Sequence, residues 1–337
     1  MTAIKMVVTD YIETDLQWEE EQAKTLGVDF HAYQLKTASP SELVNACKDA
    51  EVIVVNMARF TEEVINELPN TKLILRHGIG YDNVDVKAAS QRQIMVGYYP
   101  DYCVTEVAEQ ALMLMFACQR KIQHQFNILK KSSEVGQWKF HEIMPVYSIN
   151  GKTIGIVGAG RIGSTLIRML RGFDVDILVT DPYLSSQRKA ALGIQTIPLD
   201  QLIRESDIIS IHCPLKWEET YHLFDEAEFK LMKNTAVLIN TARGGIINLT
   251  ALDEALRNGQ LAMAGIDVYE QEPPPRDHPI LSNERALCTP HLSWLSEEAG
   301  WNIRKKIMED VDRFKQGLPP VHQINKEVSS FIDRMVN

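Results

Sequence analysis

The sequence is poor in the features that define several protein classes. Its five cysteines are scattered and odd in number, and they contain no Cys-x-x-Cys pair. Neither a disulfide framework nor a metal site is therefore expected. The longest wholly apolar stretch, Ala111 to Cys118, is too short to span a bilayer. A net charge of −10 opposes a general attraction to nucleic acid.

The first residues of the sequence are not expected to be a targeting signal. The first ten, Met-Thr-Ala-Ile-Lys-Met-Val-Val-Thr-Asp, alternate apolar and polar residues like a strand and do not resemble a signal peptide. These absences predict a cytoplasmic protein with no nucleic-acid partner and no membrane partner.

What the sequence does contain is a strand, a glycine turn and a helix in the middle of the chain. Gly158, Gly160 and Gly163 form Gly-x-Gly-x-x-Gly after the apolar run Thr153–Val157, and Asp181 ends the next apolar strand. This arrangement predicts a dinucleotide whose pyrophosphate lies at the helix N-terminus and whose ribose is bound by the acid. The alternatives are a purely structural glycine turn and an Asp181 that only opens an Asp-Pro turn.

A chain of 337 residues suggests about two domains. Alternating apolar and helical runs predict a parallel α/β unit in residues 1–99 and about seven further strands from residue 153 on, among them Gly193–Ile197. Between them we expect one long helix over residues 103–130. Residues 132–150 fit either an arm across a partner subunit or a loop over their own domain. The last helix is predicted over Leu295–Lys315.

A second glycine turn, Gly78-Ile79-Gly80, follows a predicted strand in the first unit. Its backbone N–H groups could form a nest that binds an anion. A plain tight turn fits the same residues equally well.

Three polar residues follow later strands at the edge where an open parallel sheet binds its ligand. Arg243, Glu272 and His291 lie in Asn-Thr-Ala-Arg-Gly-Gly, Asp-Val-Tyr-Glu-Gln-Glu-Pro and Cys-Thr-Pro-His. A guanidinium there can hold a carboxylate, an imidazole can exchange the proton of a carbinol, and a carboxylate can orient that imidazole. Taken singly, each has a structural alternative. Arg243 could pair with a helix C-terminus, Glu272 could be a solvated loop acid, and His291 could cap the end of a strand.

These segments, with Gly-Ile-Val-Gly-Ala-Gly-Arg-Ile-Gly and His-Cys-Pro-Leu, resemble the D-isomer-specific 2-hydroxyacid dehydrogenase family in order and spacing over nearly the whole chain. The resemblance implies an α/β fold of two Rossmann-like domains, in which a doubly wound NAD domain (102–294) is inserted into a smaller flavodoxin-like substrate domain (1–101 plus 295–337). It implies Arg243, Glu272 and His291 as catalytic residues. It also implies cofactor-binding residues, namely Gly158, Gly160, Arg161, Ile162, Gly163, Asp181, His212, Cys213, Pro214, Thr220, Thr241, Ala242 and Asp267. Gly78, Ile79 and Gly80 would bind the substrate carboxylate.

The function that the resemblance implies is transfer of a hydride between NADH and a small 2-oxo acid to give the D-2-hydroxy acid, by a homodimer. Trp294, expected one helical turn after His291, resembles the position that lines the substrate side chain, with core packing as the alternative. Val55-Asn56 stands where phosphoglycerate dehydrogenases carry arginine, which disfavours a phosphorylated substrate, although Arg59 is near. The closest branch contains the C-terminal-binding-protein corepressors, so the rival function is an NAD(H)-sensing binding protein.

Overall fold

A computed structural model describes residues 3–328, which divide into two compact units. Unit 1 comprises the residues up to Tyr102 and those from Ser296 onward, and unit 2 is Cys103–Leu295. Each unit contains one parallel sheet with alternating helices. The predicted α/β class with two Rossmann-like sheets is therefore confirmed. Residues 329–337, which the sequence assigns to the substrate domain, lie outside the described residues.

The strands of the described chain are β1 (Ile4–Val8), β2 (Val28–Ala32), β3 (Val52–Val55), β4 (Leu73–Arg76), β5 (Met95–Gly97), β6 (Lys152–Val157), β7 (Val175–Thr180), β8 (Ile208–Ile211), β9 (Val237–Asn240), β10 (Met263–Ile266) and β11 (Ala286–Cys288). The α-helices are α1 (Gln17–Leu26), α2 (Pro40–Cys47), α3 (Glu62–Asn66), α4 (Val86–Gln91), α5 (Val104–Gln119), α6 (Ile122–Val135), α7 (Arg161–Leu170), α8 (Ser186–Leu192), α9 (Leu199–Glu205), α10 (Glu226–Leu231), α11 (Leu249–Arg257) and α12 (Glu297–Lys315). None of these helices is long and apolar enough to cross a membrane.

The sheet of unit 1 has the strand order β2-β1-β3-β4-β5, which is the flavodoxin-type order. The sequence pattern does not reveal β2, because only Val28 of this edge strand is buried and the strand carries Asp29 and His31. The inner strands β3 and β4 are apolar except for Arg76 at the end of β4, and they are recognisable as strands from the sequence.

Unit 1 contains segments from both the N-terminal and the C-terminal parts of the sequence. Arg304 in α12 donates two hydrogen bonds to Glu19 in α1, at 2.5 and 2.6 Å. Further on, the Asn325 side chain accepts a hydrogen bond from Val96 N at 2.8 Å and donates one to Ile94 O at 2.8 Å. The C-terminal segment thus satisfies backbone groups around β5 that the sheet leaves unpaired.

The sheet of unit 2 has the order β11-β10-β9-β8-β6-β7 and is covered on both faces. Successive residues of β9 pack into different apolar clusters on the two faces of the sheet. Leu238 belongs to the cluster that contains residues of α9 to α11, and Val237 and Ile239 belong to the cluster that contains residues of α5 and α7. This alternation is that of a doubly wound sheet. The carboxyl ends of its strands form one edge, where the candidate site lies.

Two predictions about unit 2 are wrong. Gly193–Ile197 is not a strand, because the chain touches the edge of β7 through a single bridge between Val179 and Thr196 before Pro198 and α9. The sheet therefore has six strands rather than seven. The long helix is also divided, because Lys121 adopts a left-handed φ of +49° between α5 and α6.

Candidate active site

The turn after β6 is built from glycines that leave no room for side chains at two of three positions. Gly158 has a φ of +92°, and a Cβ on it would lie 2.8 Å from the backbone N of Cys213. A Cβ on Gly163 would lie 2.1 Å from the carbonyl oxygen of Gly158. A Cβ on Gly160, by contrast, would meet nothing within 4 Å. The turn is therefore tightly packed underneath and open beside Gly160.

This open space adjoins the start of α7, which begins at Arg161 and continues through Ile162. The first N–H groups of a helix have no partner within it, and the helix dipole is positive there. A backbone that can be approached closely, next to such a helix start, fits the pyrophosphate of a dinucleotide.

Asp181 follows β7 and is directed back toward the glycine turn. One carboxylate oxygen accepts a hydrogen bond from Ala159 N at 2.9 Å, and the other accepts one from Tyr183 N at 3.0 Å. The residue thus does open its own Asp-Pro turn, as the alternative interpretation held, but it also contacts the glycine turn. Each oxygen retains acceptor capacity for a ribose hydroxyl.

His212 and Cys213, which follow β8, carry no charge at neutral pH. Burial lowers the pKa of His212 to about 4, and burial raises the pKa of the Cys213 thiol to about 12. His212 Nε2 lies 2.9 Å from Ser210 Oγ, while Nδ1 is buried and has no partner within the described residues. Their packing against the glycine turn is what these two residues contribute to the site.

Thr220 stabilises the loop that follows β8 through two hydrogen bonds of its hydroxyl. Its hydroxyl accepts a hydrogen bond from Lys216 N at 2.7 Å and donates one to Pro214 O at 2.7 Å. The loop after β8 is therefore closed on itself beside the glycine turn.

Arg243 lies in a loop after β9 that Asn240 braces. The Asn240 side chain donates to Arg243 O at 2.9 Å and accepts from Ala242 N at 3.0 Å. Between them, Thr241 is 6% exposed, and its hydroxyl has no hydrogen-bond partner within residues 3–328. A buried hydroxyl of this kind at a ligand edge fits a polar group of a bound cofactor.

His291 and Glu272 form the shortest titratable pair at this edge. His291 Nδ1 lies 2.6 Å from one Glu272 oxygen, and the other oxygen accepts a hydrogen bond from Tyr269 N at 3.0 Å. Burial opposes ionisation of Glu272, but the hydrogen bond and charge of His291, the Tyr269 N–H and the charge of Arg243 together hold the pKa of Glu272 below its ordinary value. With Nδ1 held, Nε2 of His291 is the nitrogen left to exchange a proton.

Asp267 is fully buried and organises the loop that carries His291. One carboxylate oxygen accepts from Thr289 Oγ1 at 2.5 Å and Leu292 N at 3.1 Å; the other accepts from Ser293 N at 2.9 Å and from the Ser293 hydroxyl. His291 N also donates to the Asp267 carbonyl at 2.8 Å. Because the four bonds use both oxygens, a cofactor contact from this side chain would require one of them to break.

The same hydrogen bonds correct the expected place of Trp294. Residues 291–295 are not helical, because Leu292 N and Ser293 N donate to Asp267 rather than to a preceding turn, and His291 has a left-handed φ of +54°. Trp294, which is half-buried, is therefore not one helical turn after His291. The helix begins only at Glu297, where Ser296 accepts a hydrogen bond from Ala299 N at 2.9 Å.

The sequence interpretation missed Asn240 and Ser293, which act on the backbone of the site. Asn240 is a polar residue at the end of an otherwise apolar strand, and asparagine side chains commonly bond the backbone two residues on. That signal could have identified it. Nothing in the sequence distinguishes Ser293 from an ordinary loop serine.

The second glycine turn lies in unit 1. Gly78 has a φ of +149°, and its N–H and carbonyl are bonded to Arg76 O and Tyr99 N at 2.8 and 3.1 Å. Within residues 3–328, the N–H groups of Ile79 and Gly80 make no backbone hydrogen bond. The turn is compatible with an anion nest, and binding of substrate there stays a prediction.

Comparisons with known proteins agree with this geometry. Residues 112–293 match the model of the D-isomer-specific 2-hydroxyacid dehydrogenase NAD-binding domain. A glyoxylate reductase of Korarchaeum cryptofilum is 36% identical over 297 residues, which are 86% of this chain and 88% of that protein. The likeness to the corepressor branch stays a prediction.

Solved structures resemble this chain over nearly its whole length. D-Lactate dehydrogenase from Aquifex aeolicus, in complex with NAD and lactic acid, gives a TM-score of 0.82 at 26% identity and covers 93% of this chain and 96% of its own. An acyclic imino acid reductase in complex with NADPH and D-Arg gives 0.84 at 26% identity, covering 95% of this chain and 100% of its own.

The glycine turn, the open space beside it and the matched NAD-binding model identify NAD as the cofactor. The glyoxylate reductase and the D-lactate dehydrogenase are named for reactions of a 2-oxo acid and of a 2-hydroxy acid. The chain therefore belongs to the D-isomer-specific 2-hydroxyacid dehydrogenase family and is an NAD-dependent oxidoreductase that transfers a hydride between NADH and a small 2-oxo acid.

Proposed function

We propose that the enzyme reduces small aliphatic 2-oxo acids, with glyoxylate as the first candidate. The observation that carries this proposal is the 2.6 Å contact between His291 Nδ1 and Glu272, at the sheet edge that also carries Arg243. The Korarchaeum relative, a glyoxylate reductase with 36% identity, supports the choice of substrate. Larger members of the class would give D-2-hydroxy acids.

The three residues have distinct roles in this proposal. The Arg243 guanidinium binds the substrate carboxylate and polarises the neighbouring carbonyl. His291 Nε2 donates the proton to the oxygen at C2 as that carbon is reduced. Glu272, ionised at neutral pH, accepts the Nδ1 hydrogen bond and stabilises the imidazolium form. When bound, NADH supplies the hydride. Asp267 positions His291 by holding its loop.

The cofactor would lie along the carboxyl edge of unit 2. Gly158, Gly160 and Gly163 would admit its pyrophosphate to the start of α7, and Asp181 would accept hydrogen bonds from the adenosine ribose. Because a carboxylate at that place repels a 2′-phosphate, we propose that NADH is preferred over NADPH.

We also propose a homodimer, formed through α6 and the segment that follows it. Six large apolar residues on this surface are each more than half exposed, namely Phe126, Leu129, Val135, Trp138, Phe140 and Met144. Trp138 and Phe140 stack at 5.3 Å between ring centroids. An apolar surface of this kind is typical of a protein interface. Sedimentation equilibrium would test it, and a wild-type monomer at micromolar concentration would contradict it.

We also propose that the protein is located in the cytoplasm. None of the five cysteines, all of which lie in the described part of the chain, is in a disulfide, and three of them are buried. A protein that keeps all its thiols suits a reducing compartment. Cell fractionation with antibodies against the protein would test the location.

Steady-state rates with NADH and a panel of 2-oxo acids test the proposed reaction. The panel should contain glyoxylate, pyruvate, a branched, an aromatic and a phosphorylated 2-oxo acid. We expect turnover that is highest with the small aliphatic members. A protein that binds NADH tightly but reduces no member would contradict the proposal and would favour an NAD(H)-sensing protein.

A further inference from the structure

Three exposed side chains join the loops that follow β7 and β8 in unit 2. The Tyr183 hydroxyl donates a hydrogen bond to Glu219 at 2.5 Å. Lys216 Nζ lies 3.0 and 3.2 Å from the two Glu219 oxygens and 4.1 Å from the centre of the Tyr183 ring. Glu219 is therefore bonded to both of the other side chains.

This cluster adjoins the residue that selects the cofactor ribose. Tyr183 lies two residues after Asp181, and its backbone N donates a hydrogen bond to the Asp181 carboxylate at 3.0 Å. This bond holds Tyr183 close to the acid. On the opposite loop, Lys216 N is held by Thr220 Oγ1 at 2.7 Å. Both loops are thus fixed, and the cluster lies where the adenosine end of a dinucleotide meets the sheet edge.

Cations in this region matter for the choice between NADH and NADPH. A 2′-phosphate carries up to two negative charges and attracts a free arginine or lysine. Arg188 is already engaged, because it donates to Ala159 O at 3.1 Å and Ser164 Oγ at 3.2 Å. Lys216 is a second cation on these loops, and Glu219 holds it with both oxygens.

We propose that Glu219 is a second specificity-determining residue, which disfavours NADPH by binding Lys216 and so keeping that lysine from a 2′-phosphate. This inference rests on the proposed cofactor site, and it explains how a lysine beside the ribose remains compatible with NADH preference. From the sequence, only Asp181 at the end of β7 is recognisable as a residue that selects the cofactor. Glu219 is not recognisable, because it lies in a loop and acts through its contact with Lys216.

The charges required for this role are present at neutral pH. Hydrogen bonds from Tyr183 and Lys216 hold the pKa of Glu219 below its ordinary value. The hydrogen bond with Glu219 raises the pKa of Lys216. The pair is therefore fully ionised, and it is exposed, so salt should weaken it.

Glu219→Gln tests the inference, with Glu218→Gln as the matched control. Glu218 is the adjacent exposed acid, and its loss changes the net charge equally. Dissociation constants for NADH and NADPH, measured by fluorescence titration without substrate, give a readout independent of turnover. We expect Glu219→Gln to tighten NADPH binding roughly two- to fivefold, as an exposed ion pair would, and to leave NADH binding unchanged. The gain should disappear in 0.5 M salt and in Lys216→Ala/Glu219→Gln.

Two outcomes would overturn the inference. One is an equal gain in Glu219→Gln and Glu218→Gln, which would reveal only a general charge effect. The other is no gain in Glu219→Gln. Asp181→Asn separates this failure from failure of the cofactor site. If Asp181→Asn tightens NADPH binding and Glu219→Gln does not, only the role of Glu219 is wrong. If neither variant changes it, the proposed adenosine position is wrong.

Discussion

The first crevice of each sheet has the same topology but different contents. β1 pairs with β2 and β3, and β6 pairs with β7 and β8, so both crevices lie where the strand order reverses. After β6 the chain turns on glycines and leaves space beside Gly160. After β1 comes Asp10, whose carboxylate accepts hydrogen bonds from the backbone N of Met57 at 2.7 Å and of Ala58 at 3.2 Å.

This difference shows that a reversal of strand order does not by itself make a nucleotide site. In unit 1 the protein's own carboxylate takes the backbone N–H groups that an external anion would need. In unit 2 the corresponding place is bordered by glycine and remains accessible. The side chains at the crevice, rather than the fold, decide which unit binds a cofactor.

A histidine–glutamate pair of unit 2 can also be compared with one of unit 1. The His291 and Glu272 side chains are 30% and 27% exposed and lie 2.6 Å apart. His77 and Glu13 are 10% and 14% exposed and lie 3.5 Å apart. Burial lowers the pKa of His77, although Glu13 opposes that change. The unit 1 pair is thus an internal contact with a neutral imidazole, whereas the unit 2 pair is more exposed, as the proposed exchange of a proton with substrate requires.

The largest expected effect tests this contrast between the pairs. His291→Ala should lower kcat for reduction about 10²- to 10⁴-fold, because a positioned acid/base is lost. The NADH dissociation constant should stay the same, since the glycine turn and Asp181 are untouched. The control is His278→Ala in the same unit, where the histidine only caps a short helix through Ile280 N. Full activity in His291→Ala would contradict the proposed role.

The contrast between Asp181 and Asp10 gives the next largest effect. Asp181→Asn should improve NADPH over NADH by roughly tenfold in kcat/KM, because repulsion of the 2′-phosphate is removed. Asp10→Ala should leave this ratio unchanged and lower the free energy of unfolding by about 1–3 kcal/mol, because buried N–H groups lose their acceptor. Urea unfolding and initial rates measure the two results. A cofactor effect in Asp10→Ala would break the comparison.

A smaller effect concerns pH. The pKa of Glu272 is lowered, so this carboxylate stays ionised throughout the neutral range, 2.6 Å from Nδ1 of His291. Glu272→Gln removes that charge. The fall of kcat for reduction with rising pH, and the rise for oxidation, should then both shift to lower pH by about one unit. Unchanged profiles in both directions would mean that Glu272 only supports the loop.

The smallest effect concerns substrate choice. Trp294→Ala should change the ranking of pyruvate, branched and aromatic 2-oxo acids by a few-fold in kcat/KM, if the indole forms a wall of the substrate pocket. Thermal unfolding serves as the parallel measurement. A lower Tm with an unchanged ranking would assign Trp294 to packing alone.

Much of the fold could be predicted because its inner strands are continuous apolar runs between turn residues. Predictions failed where local pattern and tertiary context disagree. β2 is half-exposed at a sheet edge, and Thr196 contacts the sheet through one bridge only. The break between α5 and α6 depends on the left-handed Lys121, a conformation that lysine does not signal in sequence.

The candidate site was predictable to the extent that its residues follow strands. Arg243, Glu272 and His291 share one sheet edge because parallel strands end there. The position of Trp294 could not be predicted, since it depends on hydrogen bonds from Leu292 N and Ser293 N to the distant Asp267. The contact of Glu219 with Tyr183 and Lys216 likewise joins two loops that only the folded sheet brings together.

The return of the C-terminal chain to unit 1 has a consequence for protein synthesis. A ribosome releases Ile4–Val8 and the other strands of unit 1 long before α12 and Asn325, which contribute the partners of Glu19 and the acceptor for Val96 N. Unit 2, by contrast, is continuous in sequence. Although domains near the N-terminus usually fold first on the ribosome, here the second unit to emerge is the first that can be completed. Protease protection of stalled nascent chains in which the residues up to Leu295 have left the ribosome should therefore appear in unit 2 before unit 1.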